Sequence, residues 1–143
     1  MVAKISTPGT IIGNYPKQNY INLAIDQNGV LKFNWNYDEV GLYGTTNLVD
    51  EQVHMVSAVR DSQNKFIGIY VDGKIEKTVK KKGSDCPVID PLLIANDYRD
   101  GVFNGKIINR RIDQYASNEI QIRKLAVKWM EIDYKQNENM DII

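Results

Sequence analysis

Apolar and polar residues alternate in short stretches along most of this chain, and turn-forming residues separate the stretches. Period-two alternation marks an extended strand with one side buried. The pattern is clearest mid-chain. Gln52 to Arg60 reads as one strand, Asp61-Ser62-Gln63-Asn64 as a turn, and Lys65 to Val71 as the strand returning beside it. Asp72-Gly73 then leads into a third strand, Lys74 to Val79. An Asp-Gly pair lets both central residues of a tight hairpin take positive φ, so it is a strong short-range hairpin signal. Ile67, Ile69 and Val71 form a β-branched face suited to a core.

The same reading extends in both directions. Met1 to Ser6 is expected as a short edge strand, and Thr10 to Tyr15 as a strand closed by Pro16. Asn19 to Asp26 sets Ile21, Leu23 and Ile25 against Tyr20, Asn22 and Ala24, a half-buried strand, and Asp26-Gln27-Asn28-Gly29 is a second hairpin turn. Val30 to Asp38 follows, with Leu31, Phe33, Trp35 and Tyr37 on one side and Lys32, Asn34, Asn36 and Asp38 on the other. Gly41 to Asn47 is a short strand and loop.

After the meander, Pro87 to Ile94 brings the chain back into the sheets, Asn96 to Gly101 is a polar loop, and Val102 to Asp113 supplies a strand or strand pair. Beyond a cap at Ser117 the period changes: Ile122, Leu125, Ala126 and Trp129 recur at helical spacing, predicting one helix over about 118–129 laid against the sheets. The expectation is a single domain over 1–134, followed by a polar tail, 135–143, that frays.

At 143 residues the chain is long enough for one proper core and too short for two. Its 18 basic and 18 acidic residues cancel, so steering toward nucleic acid or an anionic membrane is not expected. No apolar run approaches the ~18 residues of a membrane span, so no membrane insertion is expected, and Met1-Val2-Ala3-Lys4 lacks a signal peptide's apolar stretch. Cys86, the single cysteine, rules out an internal disulfide, which suits a bacterial or phage protein better than an animal extracellular one. With one histidine to activate it and nothing linking the two, Cys86 reads as inert.

These residues also carry a family resemblance. A strand ending near His54, an Asp-containing turn, then Ile69-Tyr70-Val71-Asp72-Gly73-Lys74 resembles the "W-H-H-V … L-Y-V-D-G" centre of laminin-G-like, concanavalin-A-like lectin and glucanase domains. Phe103-Asn104-Gly105-Lys106-Ile107, followed by Ser117-Asn118-Glu119-Ile120, resembles that family's "F-x-G-x-I-D … L-S-x-E-E-I" ending, and the likeness covers roughly Thr10 to Leu125. It implies an all-β, antiparallel jelly-roll β-sandwich with a C-terminal α-helix. It also implies a lectin-like, non-catalytic carbohydrate-binding role outside the cell, on a cell surface or on a virion. Val53 stands where the family has Trp, Met55 where it has a second His, and Ile108 where it usually has the Asp that helps form a calcium or structural site. No cofactor is therefore expected, although the carboxylate and amide oxygens of Asn96 to Asp100 are ligand types that suit calcium. The family's opening strands have no counterpart ahead of Thr10-Ile11-Ile12-Gly13. The vacant edge is expected to be filled by another copy in a homo-oligomer, by an exchanged strand from a partner chain, or by the C-terminal helix.

Candidate binding residues fall in two places. Trp35 and Tyr37 are either core or, near their strand's end, a stacking platform for a sugar ring, whose C–H face suits a π-system; Asn36 and Asp38 would take its hydroxyls. Asp97, Tyr98, Arg99 and Asp100 place two carboxylates, a phenol and a guanidinium in one loop. His54 reads as a structural histidine bonded to a neighbouring loop, and Lys80-Lys81-Lys82 as a solvated rim. A glycoside hydrolase is the weaker alternative. Glu131-Ile132-Asp133-Tyr134-Lys135-Gln136 matches two of the three carboxylates of the glucanase pattern E-x-D-x-x-E, but Gln136 stands where the proton donor belongs. No catalytic residue is assigned. The remaining alternative to glycan recognition is a structural or adhesion domain that binds protein in a phage tail or bacterial surface assembly.

Overall fold

The computed structural model describes residues 1–14, 21–35, 41–80, 93–94 and 101–141, without the side chains of 93 and 131–141. The strands are β1 (Val2–Thr7), β2 (Gly9–Gly13), β3 (Ile21–Ile25), β4 (Leu31–Trp35), β5 (Leu42–Tyr43), β6 (Val53–Asp61), β7 (Phe66–Val71), β8 (Lys74–Lys80), β9 (Leu93–Ile94) and β10 (Asn104–Asn109), followed by helix α1 (Glu119–Asp141). They form two antiparallel five-stranded sheets, β10-β1-β6-β7-β8 and β5-β4-β3-β2-β9. The fold is an all-β jelly-roll sandwich with a C-terminal helix.

Alternation builds the core. Ala3, Ile5, Val56, Ile67, Ile69 and Val71 of the first sheet meet Ile11, Leu23, Ile25, Leu31, Phe33 and Leu42 of the second. Each fully buried aliphatic side chain contributes about 1.5–3 kcal/mol, so this contact dominates the stability of the fold.

The expected central meander is present as β6, β7 and β8. Asp72 and Gly73 have φ of 50° and 78°, the two positive values a type I′ hairpin requires. Asp61 Oδ1 accepts from the Asn64 amide at 2.8 Å and Lys65 takes φ of 53°, so the β6–β7 turn closes on its own aspartate. At the β3–β4 turn only Gly29 is positive, at 80°; Asp26 Oδ1 holds that loop by accepting from Asn28 N at 2.9 Å and Val30 N at 3.1 Å.

Three expectations need correction. The N-terminal strand is not an edge: β1 lies between β10 and β6 because its side chains are needed on both faces, Ala3 and Ile5 inside the sandwich and Val2 in a second cluster behind it. The β3 strand is buried on both sides, since Asn22 and Ala24 are as inaccessible as Leu23 and Ile25. The helix begins one residue later than expected and runs much further. Its cap is Asn118, whose Oδ1 accepts from Gln121 N at 2.9 Å while Gln121 Oε1 accepts from Asn118 N at 2.9 Å. From Glu119 to Asp141 no glycine or proline interrupts it, and strong helix formers carry it through most of the segment read as a frayed tail.

Ile122 and Ala126 of α1 bury against Val2, Met55, Val59 and Tyr70, so the helix covers the outer face of the first sheet. Gly73 sits directly beneath it: an added Cβ there would lie 3.0 Å from Ala126 Cβ and from Arg123 Cα. Residues 131–136, the partial glucanase pattern, are helical. That pattern depends on strand alternation to bring its carboxylates to one side, and positions two apart in a helix do not share a side.

Candidate functional site

With α1 on the first sheet, the exterior of the second sheet is the remaining broad face, and the pairing register shows what lies on it. Residues directly opposite one another in an antiparallel pair share a face. Thr10 pairs with Ala24, Ala24 with Lys32 and Lys32 with Tyr43, which makes one row across four strands. Gly13 pairs with Asn22 and Asn22 with Asn34, which makes a second row beside it. The opposite side of the same strands carries Leu23, Ile25, Leu31, Phe33 and Leu42 into the core.

This exterior face has an unusual composition. The solvent side of an antiparallel sheet usually carries long, freely hydrated side chains. Here it carries two amides, a threonine and a lysine, interleaved with Gly13, Ala24 and Gly41, and these polar groups are buried, with Asn22 at 0% and Asn34 at 1% exposed. Burial of amides and an ammonium is tolerated only when they are bonded. Asn22 Nδ2 donates to Thr10 Oγ1 at 3.4 Å, Asn14 Oδ1 accepts from Ile21 N at 2.8 Å, and Lys32 and Asn34 are also partnered. Gly41 abuts the Asn34 amide so closely that a Cβ would lie 2.7 Å from Nδ2. The rows are thus a buried polar layer closed to solvent, and Tyr43 at their margin is the exception, 45% exposed.

Among the eight residues assigned to ligand binding from the sequence, Trp35 is the one within the described set. It ends β4 on the inward side, packs against the core cluster, and lies 6.3 Å from the Phe33 ring centroid. The Arg60 guanidinium covers it at 4.7 Å from its ring centroid. Trp35 and the polar rows therefore occupy opposite faces of β4. Asn36, Tyr37, Asp38, Asp97, Tyr98, Arg99 and Asp100 lie outside the described residues, as do Cys86 and Lys81 to Lys82.

One titratable cluster stands apart from this face. His54 Nδ1 lies 2.8 Å from Asp72 Oδ2, and its Nε2 lies 3.1 Å from both carboxylate oxygens of Asp50. Asp72 Oδ1 also accepts from Met55 N at 2.9 Å. The Asp72 hydrogen bond raises the histidine's pKa; burial opposes it, the Asp50 contact reinforces it, and the net shift is upward. Partial desolvation pushes the Asp50 carboxyl up, but the Gln52 amide and His54 outweigh it and hold Asp50 below its ordinary value. The cluster ties the β7–β8 turn and the loop before β6 to the strand between them. Among the described residues no group of His, Cys, Asp and Glu side chains is arranged to hold a metal ion. No described helix is long and apolar enough to cross a membrane.

The expected link between His54 and a loop is therefore present, but both partners were missed. Asp50 is at i−4 and Asp72 across a hairpin, and only the β6–β7 register brings the second into reach. Tyr43 was missed as a surface aromatic because two residues of alternation in β5 do not reveal which side is outward.

No family model matches the chain, and a search of curated proteins finds no match. Among solved structures, the CBM40 module of the Ruminococcus gnavus IT-sialidase superposes with a TM-score of 0.72 at 14% identity, covering 88% of this chain and 79% of that one. The same module bound to α2,3-sialyllactose gives 0.71 at 14% identity, over 87% and 79% of the two chains. A Bacteroides ovatus protein provisionally assigned to carbohydrate binding gives 0.68 at 21% identity, over 85% of this chain and 38% of its own.

Proposed function

We propose that this chain is a non-catalytic carbohydrate-recognition module that binds a glycan on the exterior side of its second sheet. The observation that carries the proposal is the two-sheet jelly-roll sandwich, which superposes over 88% of the chain on a carbohydrate-binding module and leaves the margin of its second sheet, at Tyr43, accessible. Similarity of fold to carbohydrate-binding modules supports the reading without establishing it, since one fold hosts many functions.

In this proposal the contact set also includes Asn36, Tyr37, Asp38, Asp97, Tyr98, Arg99 and Asp100, while Trp35 stays in the core, and no step of bond cleavage is involved. Membership of the laminin-G-like and concanavalin-A-like group, and a location outside the cell or on a virion, belong to the same proposal. The test is a glycan array that includes α2,3- and α2,6-sialyllactose beside neutral oligosaccharides, followed by calorimetric titration of the hits. Specific binding that weakens in Tyr37→Ala or Tyr98→Ala is expected. Absence of any glycan hit with correctly folded protein overturns the proposal.

A further inference from the structure

Resting on that reading, we infer that Tyr43 is the stacking platform of the site: its exposed ring receives the apolar C–H face of a pyranose at the open margin of the second sheet. Exposed tyrosines are common on proteins, and exposure alone carries nothing. Three features separate this one.

The first is its position. Tyr43 lies opposite Lys32 on the exterior of the second sheet, two positions along from Gly41 and Asn34, so it stands at the open margin of the only described face with interleaved amides and small residues. Its neighbour Leu42 pairs with Phe33 and is buried in the core, which turns the Tyr43 side chain outward. The second is contrast. Thr10, Asn22, Ala24, Lys32 and Asn34 are all buried, while Tyr43 presents 45% of its surface, an apolar ring with a polar tip where a ligand can reach it.

The third is rigidity. Gly44 N donates to Leu31 O at 2.7 Å, fixing the residue immediately after Tyr43 to β4. Glu76, on β8 of the other sheet, accepts from Thr45 N at 2.8 Å, from Thr46 N at 3.4 Å and from the Thr46 hydroxyl. Gly44 lets the Glu76 carboxylate sit close to the chain, and a Cβ there would have to push that carboxylate aside. An edge strand of two residues would otherwise be free to fray. The loop that follows this one is held from both sheets, and an ordered backbone beneath the ring limits the entropy lost when a sugar stacks on it.

The experiment measures Tyr43→Ala, Tyr43→Leu and Tyr43→Phe against the glycan that the unaltered protein selects on the array, with thermal melts to establish that each variant folds. Tyr43→Ala and Tyr43→Leu are expected to weaken binding about tenfold, and Tyr43→Phe to stay within about twofold because it keeps the ring face. Saturation-transfer NMR of the bound sugar should show ring C–H protons contacting the protein in the unaltered chain and losing that contact in Tyr43→Leu. Glycan binding that is unchanged in Tyr43→Ala overturns the platform while leaving glycan recognition standing. Failure of the unaltered protein to bind any glycan overturns both.

Discussion

Replacing Asp72 by asparagine tests the His54 clamp with little backbone disturbance, because asparagine tolerates the left-handed conformation that Asp72 adopts at φ 50°. The amide can still accept from Met55 N but no longer offers a carboxylate to His54 Nδ1 at 2.8 Å. A hydrogen bond to a charged group contributes about 1.5–3 kcal/mol. The Asp72 side chain is 37% exposed, so solvent screening reduces this to about 1–2 kcal/mol, or roughly 3–6 °C in Tm for a domain of this length. The pH dependence distinguishes a charge effect from a packing effect. Because the folded-state pKa of His54 is raised, its contribution is complete below the unfolded histidine's value of about 6.5 and is lost as pH rises through the folded value. Above that point the neutral ring can donate to one carboxylate and no longer to both. The difference in Tm between the two proteins should therefore be largest near pH 6 and should narrow with increasing alkalinity. Thermal unfolding followed by circular dichroism from pH 5.5 to 9, with NMR titration of the His54 ring, measures both quantities. A Tm difference independent of pH, or a His54 that titrates at or below 6.5 in the unaltered protein, would refute the reasoning.

Two further substitutions test the packing of the helix. Asn118→Ala removes the capping box and should cost about 1 kcal/mol in chemical denaturation, leaving the second sheet untouched. Gly73→Ala introduces a Cβ at φ 78° and 3.0 Å from Ala126 Cβ, so a loss of at least ~1 kcal/mol is expected; an unaltered midpoint would show that the turn does not press on α1.

Local chemistry was readable in advance wherever neighbours in sequence decide the outcome. Asp72-Gly73 marked its hairpin, and the 3.6-residue spacing of Ile122, Leu125, Ala126 and Trp129 marked the helix face. Features that depend on register across strands were not readable. Alternation in β3 separates Asn22 from Leu23 but cannot say that both sides are buried, and Val2 shows no sign of lying beneath a helix more than a hundred residues later. Tyr43 is the same problem at its smallest, since its side of the sheet is set by pairing with Lys32 and not by anything in β5 itself.

With α1 seated on one exterior, the two flat sides of the molecule are chemically unlike. A second body pressed against Ile120 and Val127, exposed apolar positions among the described side chains of that helix, would leave Tyr43 and the margin of the other sheet facing away and accessible. The sandwich therefore has a front and a back, and could be mounted by one without obstructing the other.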